Sequence, residues 1–377
     1  MDERFELTSR RNDCLLSVMR LSLLISLTVA ILSPLAYASS GDRSQEFIDC
    51  VGLCKVTRCG PHFESQSSLA LRVTRWACTD DCKYTCMHEI TDRDVQNDKK
   101  IQQYHGKWPF WRVAGMQEPA SVVFSLLNLW AHVRGASKIR KKVPESHPMR
   151  SYYLLWSILS INAWVWSSVF HTRGDWYFLS IYITQPSHRA IDLPITEKLD
   201  YFSAALAILY ALYYTTIRLF HIYPSPASRL TLPSTPTKTT WRRNLLACAC
   251  LIIYLAHVSY LTLLPRFDYA YNMAFNLTLG LTHNALWGIY AMPASLSLLQ
   301  RFPSRPRNYR PRFTSKVAVF VLLTTVATSL ELFDFPPWAR VIDAHSLWHL
   351  STAPIALLWY DFLIEDSQDP SWREHKT

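Results

Sequence analysis

From about residue 116 the chain alternates between apolar runs of roughly 20 residues and short polar loops, and runs of that length can cross a bilayer. Seven such runs are legible, at about 116–133, 151–170, 200–219, 243–264, 271–291, 316–333 and 344–363. The pattern predicts an all-α membrane protein, a bundle of seven transmembrane helices occupying 116–363, followed by a tail at 364–377. Ahead of the bundle, 39–115 is polar and soluble in character. The first 38 residues read as a secretory signal: the apolar stretch 21–32 is short for a span, and Ala36-Tyr37-Ala38 has the small-x-small form of a cleavage site. Met19-Arg20-Leu21 is a more usual start, so 1–18 read as an upstream-start artefact.

Composition agrees with this reading. Charged residues make up 18% of the chain, against about 25% in soluble proteins. The net charge of +10 does not point to nucleic acid, because the Lys and Arg residues gather in alternate loops. Loop 134–150 holds six, 218–244 five and 293–316 six, whereas the intervening loops hold Arg266 alone, Arg340 alone, or Arg173, Arg189 and Lys198. The positive-inside rule assigns the rich loops to the cytosol. The N-terminal domain is then luminal and the C-terminus cytosolic, as an odd number of spans requires.

Six cysteines, Cys50, Cys54, Cys59, Cys78, Cys82 and Cys86, lie between the signal and the first span. An even count in an oxidising lumen argues for three disulfides, whose pairing the spacing does not choose. Zinc is the rival reading, disfavoured because the spacings are not CxxC. Cys14, Cys248 and Cys250 are expected to be free.

Two stretches carry chemistry. In Asp343-Ala344-His345-Ser346-Leu347-Trp348-His349, the two histidines are four apart and share one helix face. Ser167 and His171 repeat that spacing at the end of the second run. The charge-derived topology sets His171, Asp200 and His345 at luminal helix ends. Three neutral imidazoles with a fourth position open to water form a catalytic zinc arrangement suited to ester or amide hydrolysis. The expectation is therefore a metal site of His171, His345 and His349. Asp200 would accept a proton or orient an imidazole, and Ser167 would hydrogen-bond the developing oxyanion. A Ser167 nucleophile served by His171 is the competing arrangement. Glu331, Asp334 and Asp343 are candidate supporting partners or solvated surface groups. Asn162, Asn276, His283 and Asn284 are expected to pair between helices, and His105 to sit in an interfacial aromatic belt.

Six stretches stand out together: Cys50-Val51-Gly52-Leu53-Cys54, the stretch from Tyr104 to Phe110, Gln117-Glu118-Pro119-Ala120-Ser121, the stretch from Asn162 to Arg173, Thr196-Glu197-Lys198-Leu199-Asp200-Tyr201, and the stretch from Asp343 to His349. Through them the chain resembles the Per1-like proteins, the post-GPI-attachment phospholipases. The resemblance implies membership of a wider group of seven-span hydrolases that includes alkaline ceramidases. The group's Ser-x-x-x-His, Asp and His-x-x-x-His fall here on Ser167, His171, Asp200, His345 and His349. It further implies an endoplasmic-reticulum enzyme in which a zinc-activated water removes the sn-2 acyl chain from GPI-anchored proteins. A ceramidase-like amide hydrolase and a non-enzymatic receptor or folding factor are the alternatives.

One departure from the family stands out. Residues 174–191 separate Arg173 from Asp192, where the family pattern runs on directly. Without those 18 residues Asp200 would lie eleven positions after His171. The segment reads as a retained intron or an insertion beside the site, and in translated form it would be placed to obstruct that site.

Overall fold

The computed structural model describes residues 40–60, 67–173, 195–223, 238–264 and 267–372. The expected signal at 1–38, Cys14 and the 174–191 segment lie outside the described residues.

A small helical domain comes first: α1 (Gln45–Arg58), the single turn and a half of α2 (Leu69–Val73), and α3 (Cys78–Gln96). Seven long helices follow among the described residues: α4 (Pro119–Lys142), α5 (Arg150–Thr172), α6 (Ile195–Leu219), α7 (Lys238–Leu263), α8 (Tyr269–Ala291), α9 (Thr314–Leu332) and α10 (Ala344–Gln368). There is no strand among the described residues, only isolated bridges. Helices α5, α6, α7 and α9 are long and apolar enough to cross a membrane. The other three carry more polar side chains, such as Asn128 and His132 on α4 and His283 and Asn284 on α8.

The sequence explains where these helices begin. Pro119 opens α4 at a position where no backbone donor is lost. Helix α10 is fixed by a capping box: Asp343 Oδ1 accepts from the Ser346 N–H at 2.8 Å, and Ser346 Oγ accepts from the Asp343 N–H at 3.0 Å. That cap sets the rotational phase of the first turn, and with it the direction in which His345 and His349 point.

Six helices close a ring: α4 packs on α5 and α10, α5 on α6, α6 on α8, α8 on α9, and α9 on α10. Helix α7 packs mainly on α6, and its outer face is rich in exposed leucine and isoleucine. Helices α4 and α10 approach so closely that a Cβ on Gly135 would lie 2.1 Å from Tyr360, so only glycine fits there. The core is aromatic, with Trp287, Trp359, Tyr290 and Phe362 almost wholly buried and Phe320 stacked on Trp359 at 4.0 Å.

The polar residues expected to pair between helices divide. Asn284 reaches α9 through Thr324 Oγ1 at 3.0 Å, whereas His283 Nδ1 lies 3.4 Å from Asn284 Oδ1, its neighbour on the same helix. Asn276 instead bonds back to Asn272 within α8, and Asn162 is exposed on α5. Helix α10 continues to Gln368, and a final turn, Pro370–Trp372, seats Ser371 and Trp372 against the loop around Arg301 and Arg305.

The N-terminal domain is held by three disulfides: Cys50–Cys86, Cys54–Cys82 and Cys59–Cys78. All six expected cysteines are consumed, which removes the zinc reading for them. Cys248 and Cys250 are free, as expected. Phe47, Val51, Ile90 and Tyr104 form the domain's own small core with Cys86. The domain is strapped to one end of the bundle. Arg173 donates to Thr74 O and Asp80, Trp76 donates to Gly115 O, and Gln103 and Trp108 both donate to Asp334.

Candidate metal centre

At the end of the bundle nearest the cysteine-rich domain, the last turn of α5 meets the first two turns of α10. His345 Nε2 lies 3.3 Å from His171 Nε2 and 3.0 Å from His349 Nε2. One ligand atom from each of the three histidines fits within 4.8 Å of the other two. His171 and His349 are buried, while the side chain of His345 keeps 34% of its surface exposed and forms the open side of the cluster.

The second nitrogen of every ring is engaged. His171 Nδ1 is 2.8 Å from Glu118 Oε2, His345 Nδ1 is 3.0 Å from both oxygens of Glu331, and His349 Nδ1 is 2.8 Å from Ser125 Oγ. The two carboxylates accept only, so the Nδ1 atoms of His171 and His345 carry protons, and in neutral rings their Nε2 atoms keep lone pairs. With His349 Nδ1–H likewise donating to Ser125 Oγ, three Nε2 lone pairs would face one another at 3.0 and 3.3 Å and repel unless something positive lay between them. A proton on His345 would satisfy one of these contacts; a cation satisfies both. Tetrahedral zinc with Zn–N bonds of about 2.05 Å holds its nitrogens about 3.3 Å apart. The donor set therefore fits a zinc-type ion, with carboxylate or hydroxyl partners behind each ring, as metal-ligating histidines require.

Aromatic rings wall one flank. Trp164 on α5 and Trp348 on α10 each approach His349 edge-on, at 5.1 and 5.2 Å between centroids. Such walls exclude water and strengthen the field of a charge placed among the imidazoles.

The structure thus brings together His171, His345 and His349. Asp200, in the second turn of α6, lies within electrostatic range of His345, Lys107 and Glu118. Ser167 is close but faces elsewhere: its Oγ is 3.0 Å from Ser125 Oγ, which links it to His349 rather than to its helical neighbour His171. Of the acidic residues weighed from the sequence, Glu331 orients an imidazole, Asp343 caps α10, and Asp334 anchors the cysteine-rich domain. His105 is exposed beside Asp42, in that domain. Sequence reasoning missed Glu118 and Ser125 as functional residues. Glu118 had one signal, an acid immediately before the proline that opens an apolar run. Ser125, one serine among many, had none.

Comparison with known proteins bears on this arrangement. The Per1-like family matches residues 68–367. Protein PER1 homolog of Schizosaccharomyces pombe is 38% identical over 329 residues, covering 87% of each chain. A GPI-specific phospholipase A2-like PGAP3 of Xenopus laevis is 37% identical over 344 residues, 90% of this chain and 93% of that protein. The protein of the same name from Cricetulus griseus is 36% identical over 354 residues, 92% and 95%. No solved structure matches the chain.

Proposed function

The chain belongs to the Per1-like family, and from that premise we propose that it remodels GPI-anchor lipid by hydrolysing the sn-2 acyl ester of GPI-anchored proteins. The relatives' name, GPI-specific phospholipase A2-like, supports the substrate class. The observation that carries the chemistry is the convergence of three Nε2 atoms whose partner nitrogens are all engaged.

In this reading His171, His345 and His349 hold zinc. When bound, zinc supplies a Lewis acid for an ester carbonyl and brings the pKa of water towards neutrality. Glu118, Glu331 and Ser125 keep the three rings turned inward. Asp200 accepts the proton that the attacking water loses. Ser167 Oγ lies 3.0 Å from Ser125 Oγ, so its support reaches the site through Ser125 and His349.

We read the protein as a multi-pass resident of the endoplasmic-reticulum membrane, with seven spans, the disulfide domain luminal and the C-terminus cytosolic. A site at the luminal membrane face suits a substrate whose acyl chains lie in the bilayer and whose glycan and protein lie in the lumen. The test is mass spectrometry of GPI lipids from cells lacking their own enzyme of this type. Wild-type chain should remove the sn-2 acyl chain, and His349→Ala should leave it in place. Unaltered GPI lipids with a change in ceramide would transfer the reading to an amide hydrolase. Full remodelling by His349→Ala would refute a metal-dependent enzyme.

A further inference from the structure

The bundle does not hold His171 by itself. Glu118 uses its two oxygens in two directions: Oε2 accepts from His171 Nδ1 at 2.8 Å, and Oε1 accepts from Lys107 Nζ at 2.5 Å. Lys107 is not a bundle residue. Its backbone pairs in both directions with Tyr104, at 2.8 and 3.0 Å, across a tight turn. His105 and Gly106 occupy that turn with φ of 51° and 79°. Tyr104 is buried in the disulfide domain, its ring 5.1 Å from Phe47 in the cluster that includes Cys86. The Lys107 ammonium also lies 4.1 Å from the centroid of Phe170, the residue before His171. An unbroken path of contacts therefore runs from the disulfide core through Tyr104, Lys107 and Glu118 to a ring of the candidate metal site.

Resting on the metal-site reading above, we propose that Lys107 is a positioning residue of that site. It acts through Glu118, and it makes the cysteine-rich domain part of the site's supporting shell. A carboxylate held at both oxygens has one orientation. Held at one, it can swing away from His171 and surrender the ring's direction. The turn matters for the same reason: it delivers the ammonium from a rigid hairpin rather than from a free loop. The disulfide domain is then required for the geometry of the histidine cluster as well as for any contact with the substrate.

The test measures zinc affinity by chelator competition on the full-length, disulfide-bonded protein in detergent, together with the visible absorption of the cobalt-substituted form. Lys107→Met keeps the stem and removes the charge. It should weaken zinc binding roughly 10–100-fold, the range for lost supporting partners, and should alter the cobalt spectrum. Lys107→Arg should restore both. In a Glu118→Ala background, Lys107→Met should add nothing further. Non-reducing peptide maps confirm that the three disulfides are intact. Should Lys107→Met fail that check, Lys107→Gln takes its place with the same expectation. Wild-type affinity and spectrum in either disulfide-intact variant would overturn the proposal while leaving the metal site standing. Undiminished zinc binding by His171→Ala, His345→Ala and His349→Ala would overturn the metal-site reading, and the proposal with it.

Discussion

His349 and Ser125 lie on different helices, α10 and α4, and meet through a 2.8 Å contact between Nδ1 and Oγ at the back of the histidine cluster. Ser167 sits one link further, 3.0 Å from Ser125. This order separates two roles for serine. If Ser125 directs His349, then Ser125→Ala should weaken metal binding by about 10–100-fold. Ser167→Ala should have a smaller effect, because Ser125 can still accept from the ring. If Ser167 were the nucleophile, Ser167→Ala would abolish hydrolysis while leaving metal content untouched. Measuring metal content and lipid product on the same two variants decides between them.

Much of this site was legible in the sequence because helical spacing is a local property. His345 and His349 share a face by their four-residue separation alone, and His171 joins them through the topology that the loop charges lead one to expect. Ser125 is opaque, and Glu118 carries only its place before Pro119, because their relevance arises only when α4 packs between α5 and α10. The disulfide pairing falls between these cases. Cys50 and Cys54, and Cys82 and Cys86, are each four apart, so a nested antiparallel pairing of two helices follows once both segments are known to be helical. Polar residues within the apolar runs are less legible. Asn162 reads as an interhelical partner and is exposed, because the periodicity of α5 does not reveal which of its faces meets a neighbour.

The three disulfides staple α1 to α3 and fix the segment leading to α2, closing loops with sequence separations of 36, 28 and 19. Removing a disulfide from a small domain typically costs about 2–5 kcal/mol. The three bonds are nested, so with Cys54–Cys82 intact the outer bond closes only a short additional ring, and burial rather than sequence separation sets the order. Cys86 is nearly fully buried in the domain core, whereas Cys59 and Cys78 are half-buried. Cys50→Ala with Cys86→Ala should therefore destabilise the domain more than Cys59→Ala with Cys78→Ala. Thermal unfolding of the two double variants gives the order. Equal midpoints would show that burial does not set it.

His88 makes the junction between the two domains sensitive to acid. Its ring stacks on Trp111 at 4.2 Å, its Nε2 lies 3.0 Å from Phe110 O, and its Nδ1 is 3.0 Å from the Arg340 guanidinium. Arg340 can only donate, so Nδ1 accepts, Nε2–H donates, and the ring is neutral. Burial, reinforced by the nearby Arg340 charge, lowers its pKa from 6.5 to about 4. Between those values the unfolded chain binds the proton and the folded one does not, so stability rises with pH. The contribution is complete above pH 6.5 and is lost as the pH falls towards 4. His88→Gln should flatten the pH dependence of unfolding across that window. Parallel curves for wild type and variant would remove His88 as the cause.

At the far end of the bundle, Arg218 of α6 and Asp366 of α10 form a fully buried ion pair, with guanidinium–carboxylate contacts of 2.8 and 2.7 Å. Arg218 also donates to Arg301 O, and Tyr290 Oη donates to Asp366 at 3.2 Å, so the pair ties α6, α8, α10 and the loop after α8 together. Removing one partner of such a pair strands the other charge without water and typically costs about 3–5 kcal/mol. Asp366→Asn should therefore lower the unfolding midpoint and the cellular abundance sharply. Arg218→Met with Asp366→Leu removes both charges and should recover part of the loss, short of the bonds to Tyr290 and Arg301. Asp366 lies 17 residues beyond His349, about 25 Å along a helix at 1.5 Å per residue. Asp366→Asn that remains folded should consequently bind metal as tightly as wild type. Reduced metal affinity in that folded variant would mean that the two ends of α10 are energetically coupled, and that the histidine cluster depends on more of the bundle than its own three helix ends.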